Sequence, residues 1–412
     1  MRRREFLRSG AALTGAMLLA SRVAFARPTS SQSRFVLVIL RGALDGLAAV
    51  PPIGDRDYLQ LRRELALRGP GEPGGALPLD GFFGLHPALG FLHECYAARE
   101  LTVLHALASP YRERSHFDGQ DVLENGTAKP HALQTGWLNR ALTVSAARGA
   151  REAGVALGQN LPLVMRGPAA VTSWSSSKLA ALDEDTLARI TELYAGDALL
   201  AARLADALAA NAIAAGDAIA AGDGGAALMT PPDTPAAARG AARYGEVVRA
   251  AAGFLRREDG PKVAVFDTHG WDTHANEGAA QGQLAGRLAE LDAGLATLKA
   301  ELGSAWQDTA VLLLTEFGRT AALNGTRGTD HGTATAAFLL GGAVAGGRVI
   351  ADWPGLAARG LYQGRDLAPT LDVRAVLKGI LAAQLQVSAH ALEHEVFPES
   401  SAIRPLQGLL RA

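Results

Sequence analysis

Short runs of consecutive hydrophobic residues, each followed by glycine and polar residues, recur along this 412-residue chain. Runs of this length are typical of strands buried on both faces, as in a parallel sheet. They predict strands at residues 35–41, 101–107, 163–165, 263–266, 310–314 and 338–340. Helical spacing predicts helices between them, at residues 86–100, 183–221, 236–257, 278–302 and 366–381. Residues 171–177 and 222–235 are predicted to be loops, and the whole pattern predicts an α/β fold with a mostly parallel sheet.

The most polar of these junctions lies at residues 262–276, KVAVFDTHGWDTHAN. Asp267, His269, Asp272 and His274 follow a predicted buried strand within eight positions. Carboxylates and imidazoles at this density either hold a divalent metal or pass protons.

Further polar residues follow other predicted strands. Glu316 and Arg319 come after the strand at 310–314, and Asp330 and His331 lie in a glycine-flanked loop. Asp45 follows the first strand. Because ligand groups gather at the carboxyl ends of parallel strands, we expect these loops to meet at one edge of the sheet.

The loop SPYRERSHFDG, after the strand at 101–107, carries Arg114, Ser115 and His116. Ser115 either stands at a helix N-terminus, where free N–H groups favour an alkoxide or a bound anion, or simply caps that helix. The other candidates also have local alternatives. Asp45 can cap a turn, Asp272 can form an Asx-turn, and Glu316 can pair with Arg319.

Taken together, carboxylates and imidazoles without thiolates suit Zn²⁺, Mn²⁺ or Ca²⁺. One ion or two ions about 4 Å apart could clamp a phosphoryl or sulfuryl group. Arg114 or Arg319 would then hold the remaining anion oxygens, and Ser115 would be the nucleophile. His390 and His394 spell the reversed zinc-protease motif H-x-x-E-H, but no third ligand lies well downstream.

Composition narrows the classes of partner. The formal net charge of −1 gives no basic face for nucleic acid, and the single cysteine excludes an intrachain disulfide. Residues 1–26 combine a twin-arginine pattern, RRREFLR, with a short apolar stretch and the small-x-small site Ala24-Phe25-Ala26. We therefore predict a cleaved leader read by the twin-arginine translocase, a periplasmic or secreted protein, and no stable membrane anchor.

The segments LRGALDGL, RSHFDGQDVLENG, GWLNR, FDTHGWDTHAN, TEFGRT and NGTRGTDHGTA resemble a family of exported bacterial proteins, the domain-of-unknown-function 1501 (DUF1501) family. That family is similar, more distantly, to the alkaline phosphatase-like superfamily of phosphatases and sulfatases.

The resemblance implies a three-layer α/β/α sandwich over residues 27–412, with a helical insertion at about 183–257. It implies metal ligands at Asp45, at Asp272 and His274 or Asp267 and His269, and at His331, with Ser115 as nucleophile. Glu316 and Asp330 complete the predicted ligand set. Phe317 departs from the superfamily pattern, because it stands where an Asp-His pair normally supplies a histidine ligand.

The sequence therefore predicts an exported metal-dependent hydrolase of small phosphate or sulfate esters. The alternative is a non-catalytic periplasmic binding or assembly protein on a degenerate hydrolase scaffold.

Overall fold

The computed structural model of the protein describes residues 32–145, 153–175, 184–220 and 236–411. The predicted leader at 1–26 and the predicted loop at 222–235 lie outside the described residues.

Within these ranges the strands form one large sheet and one small hairpin-like pair. They are β1 (Arg34–Arg41), β2 (Leu77–Pro78), β3 (Gly84–Leu85), β4 (Leu101–Ala108), β5 (Gly154–Leu157), β6 (Val171–Trp174), β7 (Val263–His269), β8 (Thr309–Leu314), β9 (Thr335–Leu340), β10 (Arg348–Ile350) and β11 (Leu371–Asp372). The large sheet has the order β10-β4-β9-β8-β1-β7-β5-β6, with β11 paired to β4, while β2 and β3 pair separately.

The α-helices lie between these strands in the chain and, for the last two, after β11. They are α1 (Gly46–Ala49), α2 (Tyr58–Arg62), α3 (Gly90–Ala97), α4 (His116–Asn125), α5 (Trp137–Val144), α6 (Glu184–Tyr194), α7 (Ala198–Ala220), α8 (Ala236–Arg256), α9 (Gln283–Leu302), α10 (Val373–Gln384) and α11 (Ala389–Ala391).

Strand direction brings the polar loops to one edge. β1 pairs in parallel with β7 and β8, and β10 and β11 pair in parallel with β4. β9 runs antiparallel to both β4 and β8. The loops that follow β1, β4, β7 and β8 therefore share an edge with the loop that precedes β9.

The sheet has a hydrophobic core on each face, which confirms the three-layer α/β/α arrangement. Val36, Val38 and Leu40 of β1 pack in a cluster with buried residues of α3, α8 and α9. The alternate residues Phe35 and Leu37 pack on the opposite face, against α5 and α10. This alternation follows from the two-residue side-chain period of a strand.

Helix α9 shows how the sequence pattern becomes packing. The leucines of its predicted stripe are all buried, at positions 284, 288, 291, 295 and 298. Their spacing of three and four residues keeps them on the face that covers the sheet.

Four predicted elements differ from the structure. Leu163–Met165 is a 3₁₀ turn rather than a strand, and it lies between β5 and the edge strand β6, which begins in the segment predicted as a loop. Strands of four residues carry too few residues for a periodic signal. The helix predicted from 366 begins at Val373 with Asp372 as its N-cap, and the helix predicted at 86–100 is the shorter α3. Pro369 restricts the residue before it, Ala368, to an extended backbone, which is consistent with the later start of this helix.

Truncating the α9 stripe should test how much this layer stabilises the fold. Leu288→Ala is expected to lower the free energy of unfolding by about 2–5 kcal/mol, because it opens a cavity in a closely packed core. Leu59→Ala is the matched control, since Leu59 lies in α2 with 63% of its surface exposed. Chemical denaturation of both variants measures the difference; equal stability would contradict the assigned packing.

Candidate metal centre

Two imidazoles and a carboxylate converge at the shared edge. Potential ligand atoms of His116, Asp272 and His331 all lie within 4.8 Å of one another. The Nε2 atoms of His116 and His331 are 3.0 Å apart, and Asp272 lies 3.4 Å from the first and 3.2 Å from the second. His274 adjoins this triad, because its Nε2 is 3.0 Å from both His331 Nε2 and Asp272 Oδ1.

Three segments distant in sequence supply the site. His116 is the first residue of α4, after the loop from β4. Asp272 and His274 lie in the loop after β7, and His331 lies in the loop before β9. The predicted meeting of these loops is thus present in the fold.

Each histidine is held by its outer nitrogen. His116 Nδ1 lies 2.8 Å from Glu316 Oε1, His274 Nδ1 lies 3.3 Å from Asp330 Oδ1, and His331 Nδ1 lies 3.0 Å from the carbonyl oxygen of Arg114. A carbonyl or an ionised carboxylate only accepts hydrogen bonds, so Nδ1 is the donor in each neutral ring. Nε2 then carries the lone pair. This pairing of an outer acceptor with an inner lone pair is what orients histidines in metal sites.

The lone pairs on the inner nitrogens repel each other, and a cation between them would remove that repulsion. Two neutral imidazoles with lone pairs 3.0 Å apart repel each other unless a proton or a metal ion lies between them. In tetrahedral zinc sites, ligand bonds of about 2.0–2.1 Å place neighbouring ligand atoms about 3.3 Å apart. The separations in the triad are close to that value: 3.0 Å between the two Nε2 atoms, 3.2 Å from His331 to Asp272 Oδ1 and 3.4 Å from His116 to Asp272 Oδ2.

Glu316 lies behind His116 and is fully buried. Its Oε1 accepts hydrogen bonds from Gly42 N, His116 and Gln120, while its Oε2 accepts from Thr315. Burial opposes ionisation, but the hydrogen bonds from His116 and Gln120 outweigh it and lower the pKa of Glu316. The structure thus places Glu316, and likewise Asp330, at outer nitrogens rather than among the converging ligand atoms.

The charges of the triad follow from these contacts. The hydrogen bond to Glu316 raises the pKa of His116. Burial and the neighbouring charge of His116 lower the pKa of His331. Burial disfavours the charged form of Asp272, but the hydrogen bond and charge of Arg319 prevail and lower its pKa. An ionised carboxylate therefore faces the imidazoles at neutral pH.

A chain of buried contacts holds Asp272. Arg319 donates to Asp272 Oδ1 through Nη1 and to Thr329 Oγ1 through Nε at 3.1 Å. Thr329 Oγ1 donates in turn to Glu277 Oε2 at 2.8 Å. Both Thr329 and Glu277 are fully buried, so this chain fixes the ligand from inside the protein.

Neither predicted anion-binding arginine has a free guanidinium group. Arg319 is bound to Asp272 and Thr329 as described. The side chain of Arg114 pairs with Asp366 at 2.7 Å and with Gln363 at 2.6 Å. Arg114 instead contributes its carbonyl to His331, from a backbone with a left-handed φ of 63°.

Asp45 lies in a separate buried cluster. Its Oδ1 accepts from the N–H groups of Leu47 and Ala48 at the start of α1, and its Oδ2 pairs with Arg62 at 2.5 Å. Glu277 Oε1 is 3.7 Å from the same guanidinium. Burial and the charge of Asp45 raise the pKa of Glu277 to about 8, whereas Arg62 and the N–H donors overcome burial and lower the pKa of Asp45.

Asp267 and His269 also lie apart from the triad contacts. Asp267 Oδ2 pairs with Arg41 at 2.6 Å, and its Oδ1 is 3.4 Å from His269 Nε2. Both side chains line a neighbouring cavity. An arginine already neutralises this carboxylate.

Ser115 occupies the N-cap position of α4 but makes no side-chain hydrogen bond to the helix N–H groups. Ser115 therefore has the position of a helix cap but does not make the hydrogen bond of one. The hydroxyl group stands directly before the triad residue His116.

Two kinds of residue were missed from the sequence. His116 was a candidate but was not assigned as a ligand; its place one residue after a predicted helix cap was the available signal. Thr329 and Glu277 gave no signal in the sequence, because their role depends on their buried contacts behind Arg319. Phe317 packs its ring 5.0 Å from that of His116 and 5.3 Å from that of His331.

The chain of contacts behind Asp272 predicts the effect of removing one hydroxyl group. Thr329→Val, which keeps the shape of the side chain, is expected to weaken Zn²⁺ binding by about 10- to 100-fold, as loss of an outer hydrogen bond does in metal sites. Thr329→Ser keeps the hydroxyl and should bind nearly as the unchanged protein does. Calorimetric titration with Zn²⁺ measures both; equal affinities would contradict the positioning role of Thr329.

The Asp45–Glu277 cluster predicts a pH dependence of stability. Because the pKa of Glu277 is raised to about 8 from an ordinary value of 4.5, its neutral form stabilises the fold at low pH. That contribution falls as pH rises from about 4.5 through 8. Glu277→Gln, which stays neutral, should therefore lose less stability between pH 6 and pH 9 than the unchanged protein. Denaturant unfolding at both pH values provides the measurement, and parallel losses would refute the assignment.

Among the residues that the structure describes, none of the helices combines the length and the hydrophobicity needed to cross a bilayer.

Comparison with known proteins identifies a family, and the solved structures of similar fold include the two described next. No curated protein matches the chain. The fold is similar to that of Ps i-CgsB in complex with k-i-k-neocarrahexaose, at 10% identity, with 90% of this chain and 74% of that chain covered and a TM-score of 0.39. It is also similar to the lipoteichoic acid synthase LtaP from Listeria monocytogenes, at 8% identity, with 89% and 76% covered and a TM-score of 0.39. Similarity at this level identifies no function for the chain. Residues 103–396 match the family described as protein of unknown function (DUF1501), and the chain therefore belongs to that family.

Proposed function

We propose that this protein is an exported metal-dependent hydrolase of phosphate or sulfate esters with Ser115 as its nucleophile. The observation that carries the proposal is the triad of His116, Asp272 and His331, whose ligand atoms converge while acceptors hold the outer nitrogens of its two histidines. Hydrogen-bond acceptors at the outer nitrogens are a regular feature of histidines that bind metal.

The donor set favours Zn²⁺ or Mn²⁺ over Ca²⁺. His116, His331 and Asp272 would hold the ion, and His274 lies beside them, with its Nε2 3.0 Å from Asp272 Oδ1. Calcium takes six to eight oxygen ligands, whereas imidazole suits zinc and other transition metals. Three protein ligands with a further position available are typical of catalytic zinc.

We propose one ion rather than two. A second ion would need the carboxylates of Asp45 or Asp267, but Arg62 and Arg41 already neutralise them. The superfamily resemblance made Asp45 a ligand; in this proposal a guanidinium group takes the place of a second cation there.

A bound divalent ion supplies Lewis acidity and lowers the pKa of an adjacent oxygen nucleophile. The chain supplies the rest. Ser115 presents its hydroxyl group at the start of α4, where first-turn N–H groups lack acceptors within the helix and can bind the oxygens of the anion. Its Oγ attacks phosphorus or sulfur, the ester oxygen leaves as an alcohol, and water then hydrolyses the serine ester.

The twin-arginine leader, passage through the translocase and a periplasmic or secreted location belong to the same proposal, and rest on residues 1–26. We also propose that the chain belongs to the alkaline phosphatase-like superfamily, on the basis of its motifs and of the order of its strands and site residues.

A second candidate is a non-catalytic binding or assembly protein. Two observations favour it: Phe317 packs against the triad histidines, and the guanidinium groups of Arg114 and Arg319 are both engaged. Under this proposal the metal centre stabilises the fold and turns over no ester.

Metal content and turnover test the hydrolase directly. After loading with Zn²⁺ or Mn²⁺ and dialysis, the unchanged protein should retain one ion per chain and hydrolyse 4-nitrophenyl phosphate or 4-nitrophenyl sulfate. His331→Ala should lose the ion and more than about 100-fold of the activity, since it removes a ligand. His93→Ala is the control, because His93 lies on α3 and its Nε2 is 2.9 Å from the carbonyl oxygen of Pro78, not near the triad.

Ser115→Ala separates the two candidates. It should abolish turnover and leave metal content unchanged. Persistent turnover by Ser115→Ala would refute the serine nucleophile. If the unchanged protein retains metal but hydrolyses neither ester, the non-catalytic protein is favoured. If the unchanged protein retains no metal, the metal centre itself is refuted.

A further inference from the structure

A cavity of about 950 Å³ lies beside the triad. The two share their supporting segments: Phe117 lines the cavity next to His116, and Trp271 lines it next to Asp272. Gln120 joins them directly, since it donates to Glu316 at 3.1 Å and accepts from Arg41 at 3.0 Å. A group held in the cavity would therefore extend from a substrate atom at the triad.

The charges that line the cavity are balanced. Four arginines and four carboxylates contribute to its wall. Arg41 is bound between Glu124 at 2.8 Å and Asp267 at 2.6 Å, and Arg287 is paired with Glu290 at 2.9 Å. Arg166 donates to the carbonyl oxygen of Leu161 at 3.0 Å, and Asp121 accepts from Asn125 at 2.6 Å. With four charges of each sign among the described residues of its wall, the cavity has no net formal charge with which to bind a second anionic or cationic group.

Neutral polar groups and one aromatic ring remain for contacts with a ligand. Gln159 and Asn160 are exposed in the cavity wall, and each offers both a hydrogen-bond donor and an acceptor. The side chain of His269 is 71% exposed. Phe117 is 88% exposed, although a phenyl ring is normally covered, and it lies on the first turn of α4 beside the triad.

We propose that this cavity binds the uncharged, polyhydroxylated part of the ester, so that the substrate is a phosphate or sulfate ester of a carbohydrate. The proposal rests on the hydrolase function proposed above. Sugar hydroxyl groups both donate and accept hydrogen bonds, which matches amides, imidazole and fixed ion pairs. The C–H face of a sugar ring matches an exposed phenyl ring. The volume exceeds that of one hexose and lies at the upper end of the range for small-molecule sites, about 300–1,000 Å³, which favours an oligosaccharide.

Binding of neutral sugars to the metal-loaded, full-length mature chain tests this site apart from catalysis. The probes are neutral trisaccharides of hexose and of N-acetylhexosamine, titrated while the fluorescence of the protein, which includes Trp271 in the cavity wall, is followed and heat is measured. At least one probe should saturate at millimolar concentration or below. Phe117→Ala should weaken that binding by about 2- to 10-fold, from loss of an aromatic contact. Leu59→Ala, at an exposed position outside the cavity, should not.

Metal binding distinguishes the two proposals. Phe117→Ala should retain one Zn²⁺ per chain, whereas His331→Ala should lose the ion and still bind the trisaccharide. If no trisaccharide binds, or if Phe117→Ala binds with unchanged affinity, the carbohydrate site is refuted whatever the metal content. If the sugar binds to a chain that takes up no metal, the cavity proposal stands as a binding site and the hydrolase fails.

Discussion

The outer hydrogen bonds of three histidines are the constraint on which the site depends. An imidazole can point a lone pair at a chosen spot only if an acceptor fixes which nitrogen carries the proton. Here a buried carboxylate, an exposed carboxylate and a backbone carbonyl each do so. The consequence is a set of inward-facing lone pairs that only a cation or shared protons can stabilise.

The sheet makes this arrangement possible through one reversed strand. Were β9 parallel to its neighbours, the loop before it would lie at the opposite edge, and His331 would be a strand length away from His116. Because β9 runs antiparallel between β4 and β8, its preceding loop joins the loops that follow the parallel strands. A single reversal thus adds a fifth segment to an edge that four parallel strands already share.

Much of the fold could be predicted because buried parallel strands and a leucine stripe leave strong local patterns. The long central strands and α9 were found within a few residues, whereas the short strands β5 and β6 were not. The meeting of the loops was also predictable, since it follows from strand direction. The role of each polar residue was less so. Asp45 and Glu316 have the composition of ligands, but long-range contacts with Arg62 and His116 determine what their oxygens do.

The backbone and the side chain of Arg114 have different roles. The carbonyl of Arg114 orients the imidazole, while its guanidinium binds Asp366 elsewhere. The left-handed φ of 63° at this position aims the carbonyl, and glycine and asparagine adopt that conformation with little strain. Sequence drift at residue 114 toward either amino acid would therefore preserve the histidine's tautomer, whereas a β-branched residue would disturb it without touching the imidazole.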